Sequence, residues 1–251
     1  MESPADRTAE NPSLGEPSSE LDRFVGVFVS PGPTFAEIAR QPKYFAPLIA
    51  LLLSSVAVME SMLGKIGAEQ IVRQAMEVNG QGANMSPDEM QRAVSQGAKA
   101  VSITMHLSGP LWPLLLLLVV AGLGLLITNG IFGSKLSFRT SFSVAAYANL
   151  PMVLAGLIGL AMIFFGDTEQ FNPKSFLPTN AGFFLDPHSV AKPLYALASS
   201  LDLFTFWVLA LLGVGFSEAG GRKASALKTF ACFLVPWLVI TLVRMGFATL
   251  G

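Results

Sequence analysis

The chain is short of everything that soluble catalysis and nucleic-acid binding usually draw on. Only 13% of its 251 residues are charged, against 52% hydrophobic, and it holds two histidines and one cysteine. A single thiol, Cys232, excludes an internal disulfide and any multi-thiol metal site. His106 and His188 lie far apart with no His-x-x-x-His spacing, so no zinc site is expected. Both histidines read as interfacial polar groups. No Gly-x-Ser-x-Gly elbow, phosphate-cradling glycine loop or Ser/His/Asp arrangement is present. The reading is therefore of a non-enzymatic protein with no cofactor, and a formal net charge of −1 gives no ground for a nucleic-acid partner.

What is abundant is apolar length. A mean hydropathy of +0.56 is far above that of soluble chains and marks an integral membrane protein of the all-α, polytopic class. At the centre lies Leu107 to Ile131, about 25 residues without a charge, enough to cross a bilayer core of about 30 Å. Five spans are expected, at about 45–63, 107–131, 147–165, 194–216 and 229–250, with the central run as the anchor for the others. Residues 1–22, rich in Pro, Ser and Glu, read as a disordered acidic tail. No early apolar core suggests a cleaved signal peptide. Residues 23–251 form the membrane domain.

Local signals place further elements. Phe35, Ile38 and Ala39 share a face of a short helix that has Pro33 in its first turn. That helix suits either the membrane interface or a cap packed on the bundle. Ser86-Pro87-Asp88-Glu89 has capping-box spacing, so a helix begins there and runs into the Leu107 segment, with Gly109, Pro110 and Pro113 kinking it. Another helix is expected around Ala68 to Val78. Gly122-Leu123-Gly124 and Gly213-Val214-Gly215 suit close helix contacts.

Charges within spans are costly and become candidate functional residues. Glu60, Asp202 and Arg244 each fall roughly 21 to 23 Å from the inner end of their span at about 1.5 Å per residue. That shared depth suggests a polar cluster in which Arg244 bridges the carboxylates. The alternative is that each snorkels separately. Short basic loops carry Lys135, Arg139, Arg222, Lys223 and Lys228, which place those loops and the amino terminus in the cytoplasm and the carboxyl terminus outside. The same residues could contact anionic lipid heads.

Several stretches resemble one family. Ser30-Pro31-Gly32-Pro33-Thr34-Phe35-Ala36-Glu37-Ile38 is similar to the opening segment of the Yip-domain family, integral membrane proteins named for interacting with Ypt/Rab GTPases. Phe138 to Pro151, with Tyr147 followed by Leu150-Pro151, resembles its loop-to-helix signature. Asp202 to Trp207, Gly213 to Gly215, Lys223-Ala224 and Pro236-Trp237 resemble its last two helices. The resemblance implies five membrane helices and a cytoplasmic amino terminus. It does not carry Rab binding with it, because no Asp-Leu-Tyr-Gly-Pro motif is present and the tail is short, as in the bacterial branch. The expected role is to organise lipid or protein partners in the bacterial cytoplasmic membrane, alone or as a homo-oligomer. A small transporter using Glu60, Asp202 and Arg244 is the alternative, and a membrane-embedded enzyme the third reading.

Overall fold

The computed structural model describes residues 19–81, 85–166, 176–187 and 189–250. Among them every long element is a helix, and the one β contact is an isolated antiparallel bridge between Asn180 and Asp202. The expected tail reaches into the fold further than its boundary at residue 22 implied. Ser19 caps α1 (Glu20–Val29), its hydroxyl accepting from the Asp22 amide at 3.1 Å while its own amide donates to Asp22 Oδ2 at 3.0 Å. The Ser19 hydroxyl, donating to Asp22 Oδ2 at 2.7 Å, and the Ser19 amide together hold the Asp22 carboxyl below its ordinary value. Residues 1–18 lie outside the described residues.

Helix α2 (Pro31–Arg40) turns back on α1 and buries Thr34, Phe35 and Ile38. Of its two expected placements it takes the cap, packed on protein. A methyl group at Gly215 would come within 2.7 Å of Val144 Cγ1 and 3.0 Å of Phe35 Cδ1, so the absent side chain is what lets α2 reach the bundle. Helix α3 (Phe45–Lys65) matches the first expected span, and α4 (Ala68–Asn79) ends in a left-handed Gly80 at φ 71°.

The Ser86 capping box forms, and α5 (Pro87–Leu125) runs through Pro110 and Pro113 into a π-helical turn over Leu126–Ile131. The turn is locked locally. Thr128 Oγ1 donates to the Gly124 carbonyl at 2.6 Å, and the Asn129 side chain brackets Leu136, accepting from its amide and donating to its carbonyl. The amino-terminal half of α5 pairs with α4, where a methyl at Gly97 would approach Val72 Cγ1 to 2.9 Å.

The Leu107–Ile131 run is not the packing centre. Leu111, Trp112, Leu115, Leu118 and Val119 are exposed, as lipid-facing side chains should be. That place belongs to α6 (Phe138–Ala148), buried continuously from Thr140 to Ala148. Its Ser and Ala side chains are small enough to admit neighbours on every side, and Ser141 Oγ donates to the Ala121 carbonyl of α5 at 2.6 Å. Helix α7 (Pro151–Phe165) continues α6 through a turn at Asn149 and Leu150, and the two form one apolar segment that begins earlier than the expected 147–165. Pro151, without an N–H, suits the first turn of the new helix.

The expected span 194–216 is not one helix. Helix α8 (Lys192–Ala198) stops, the chain pairs with Asn180, and α9 (Leu203–Ala219) restarts with Asp202 as its N-cap. Helix α10 (Ala226–Leu250) closes the fold. Among the described residues four segments are long and apolar enough to cross a membrane: Phe45–Lys65, Pro87–Ile131, Phe138–Phe165 and Ala226–Thr249. Helix α9 is apolar but has 17 residues, below the usual ~20. The main core lies where α1, α2, α6, α9 and α10 meet, around Phe35, Tyr147, Leu212, Phe216 and Phe233. Phe216 fills the space a side chain at Gly124 would need, 2.1 Å from where its Cβ would stand.

Candidate functional site

The three charges expected within spans, Glu60, Asp202 and Arg244, are held by separate partners. Asp202 accepts from the Thr205 amide at 3.0 Å and from the Thr179 hydroxyl at 2.7 Å, so its carboxylate fixes the corner between the 177–180 segment and α9. Arg244 donates from Nη1 to Ser200 Oγ at 3.2 Å. Ser200 and Asp202 belong to the same break between α8 and α9, so Arg244 and Asp202 share a neighbourhood without an ion pair. Glu60 is elsewhere, 3.5 Å from His106 Nε2. The other ring nitrogen, Nδ1, lies 2.7 Å from the Ser102 carbonyl. Among the described residues no ion pair joins Glu60, Asp202 and Arg244, and no group of His, Cys, Asp and Glu could hold a metal. His188 lies outside the described residues. Cys232 is half-buried on α10.

The densest polar network was not anticipated. Arg23 has 0% exposed side chain, its guanidinium 3.0 Å from Glu37 Oε1 and donating from Nη1 to the Gln41 carbonyl at 3.2 Å. Glu20 sits 3.9 Å from Arg23 and 3.5 Å from Lys43 Nζ, and accepts from the Tyr147 hydroxyl at 2.6 Å. The Phe24 ring meets Tyr147 edge-on, with centroids 6.0 Å apart. One arginine thereby ties α1 to α2, and Glu20 ties both to α6 and the start of α3. The signal was faint: Arg23 and Val27 stand four apart on one face of α1, and a charge on a buried face demands partners.

The basic loops gather at this same end. Lys223 Nζ donates to the Gly133 carbonyl and Ser134 Oγ donates to the Gly220 carbonyl at 2.9 Å, which pins the loop before α6 to the loop before α10. Arg222, at φ 58° after Gly221 at φ 69°, pairs with Glu218 at 2.9 Å. Lys135, Arg139 and Lys228 are exposed and have no ion-pair partner among the described residues. Arg139 lines a shallow cavity with Glu20, Lys43 and Tyr44, which places it beside the α1–α2 hairpin.

This arrangement, an amino-terminal hairpin clamped on a helical membrane bundle, agrees with what the chain resembles by sequence. The Yip1 domain profile matches residues 25–247.

The chain belongs to the Yip1 domain family.

A curated relative, the membrane protein YknW of Bacillus subtilis (strain 168), is 20% identical over 224 residues, covering 89% of each chain. No solved structure matches. The Yip1 domain match begins two residues after the arginine that anchors the hairpin and runs from within α1 to the last turn of α10. Tyr147, in the stretch that carried the family resemblance, is the side chain through which the bundle grips that hairpin.

Proposed function

We propose that this Yip1 domain chain is a non-enzymatic organiser of the membrane, with α9 as a fifth span, the amino terminus in the cytoplasm and the carboxyl terminus outside. On this reading the α1–α2 hairpin and the basic loops form a cytoplasmic platform for anionic lipid heads or a membrane-protein partner. The observation that carries it is the exposed trio Lys135, Arg139 and Lys228 at the end where Arg23 and Tyr147 hold the hairpin rigid. Neutralised charges near an anionic surface are worth about 1 kcal/mol each, so three free cations make a useful but reversible contact.

The test has two parts. Reporter fusions at Gly251 should be active outside and silent inside; full cytoplasmic activity would overturn the topology. Affinity purification from native membranes should recover a lipid class or partner that the triple Lys135→Gln, Arg139→Gln, Lys228→Gln variant loses. If it recovers none, and deletion leaves envelope composition unchanged, the organiser reading falls. A transport signal in proteoliposomes that disappears in Asp202→Asn would favour the transporter reading instead.

A further inference from the structure

At the end of the molecule away from α1 and α2, the carboxyl end of α4, α8 and the last turns of α10 enclose a cavity of about 450 Å³. That volume falls within the ~300–1,000 Å³ of small-ligand sites. Two cations line it, Lys192 and Arg244, together with Ser199 and the apolar Val78 and Phe247. No Asp or Glu lines it among the described residues. Arg244 uses one donor, on Ser200, out of the five a guanidinium carries. Ser199 Oγ is buried from water with no hydrogen-bond partner among the described residues. Such an orphan is rare because nothing replaces the water bond it gave up. An arginine with donors to spare, a second cation and an unsatisfied hydroxyl around one cavity are the complement of an oxyanion.

We propose that this cavity binds a phosphate group, with the Arg244 fork as its main contact, Lys192 as a second charge and Ser199 donating a hydrogen bond. Planar, bidentate recognition of phosphate is what a guanidinium does better than an ammonium. Two sources can supply that chemistry: the headgroup of an anionic phospholipid, or free phosphate. The apolar wall beside the cations gives a lipid's glycerol and upper chain somewhere to lie. On α10, Ile240, Val243 and Phe247 are all exposed, so the helix that carries Arg244 is open to lipid. The proposal is independent of which face is cytoplasmic, and the site is separate from Lys135, Arg139 and Lys228.

The experiment uses the full chain in bilayer discs, neutral (phosphatidylcholine) or containing phosphatidylglycerol. The readouts are the anionic lipid retained on the protein in native mass spectrometry and hydrogen exchange of residues 192–200 and 240–248. Wild type should retain phosphatidylglycerol and show protection in both segments. Arg244→Gln should lower retention about tenfold, the loss of one charge-assisted bond, and Arg244→Lys should restore only part of it. The Lys135→Gln, Arg139→Gln, Lys228→Gln variant should keep the protection at 192–200. Thermal unfolding in neutral discs shows that each variant is folded. Inorganic phosphate giving the same Arg244-dependent protection in neutral discs supports the site with a soluble source; protection by phosphatidylglycerol alone supports the lipid source. Protection by neither, or protection unchanged in Arg244→Gln, overturns the proposal.

Discussion

Arg23, at the α1–α2 end, has no exposed side-chain surface and meets Glu37 at 3.0 Å, whereas Arg244, at the far end, is exposed and meets only the Ser200 hydroxyl at 3.2 Å. Around Arg23 the acceptors outnumber the cation: Glu37, Glu20 and the Gln41 carbonyl all lie within reach. Around Arg244 no carboxylate lines the cavity. The first arrangement closes on itself and fastens elements together. The second leaves a positive charge in place, facing a space. Burial of a charge with its partners is a structural device, and its exposure beside a cavity without them is an opening for a ligand.

Paired substitutions break that comparison most directly. Arg23→Met removes the buried cation from between Glu37 and the Gln41 carbonyl and should cost about 3 kcal/mol, read as a lower unfolding midpoint in neutral discs. Arg244→Met should stay within about 1 kcal/mol of wild type, the worth of one hydrogen bond. Equal losses would mean that Arg244 is as structural as Arg23. The packing between the two ends offers a second contrast. Gly124→Ala pushes into the buried Phe216 ring and should cost about 2 kcal/mol, while Gly122→Ala, with nothing within 4 Å of its Cβ, should cost almost nothing. Lys223→Met releases the Gly133 carbonyl and should cost under about 1 kcal/mol, with faster hydrogen exchange confined to residues 132–137.

The smallest effect sits at the start of the hairpin. The Asp22 carboxyl is held low by Ser19, so the bond's stabilisation is present above the ordinary carboxylate range and is lost as pH falls below about 4. Exchange protection of α1 should drop with acid in wild type. In Ser19→Ala it should be low already and change less.

The elements that could be read from sequence are those fixed by neighbours in the chain. Ser86, Pro87 and Glu89 specify the start of α5 within four residues, and the absence of any breaker stronger than Pro110 and Pro113 carries the helix to Leu125. The break before α9 was hidden because its cause is distant: Thr179 and Asn180 capture Asp202 from more than twenty residues away. The burial of α6 was hidden for a related reason. Small residues signal close packing but not which neighbours will come close, and the eye goes to Leu114–Leu118, which faces outward in part. Of the candidate residues, the depth argument grouped Glu60, Asp202 and Arg244 as one bridged cluster; Arg244 instead meets Ser200, Asp202 meets Thr179 and Thr205, and Glu60 meets His106. The Arg23 network depends on contacts up to 127 residues apart, Glu20 with Tyr147, and no local spacing announces it.

Helix α5 with its π turn is one segment of 45 residues, roughly 67 Å long at about 1.5 Å per residue, or twice the thickness of a bilayer core. Its two prolines fall near the midpoint, where missing hydrogen bonds make bending cheapest. The segment can therefore act as a lever: a swing of about 5° about the prolines would move each tip by about 3 Å. One tip is paired with α4, which walls the oxyanion cavity, and the other ends at the Gly133 carbonyl in the grip of Lys223. A hinge at the prolines would couple a shift of α4 at one tip to the Lys223–Gly133 contact at the other.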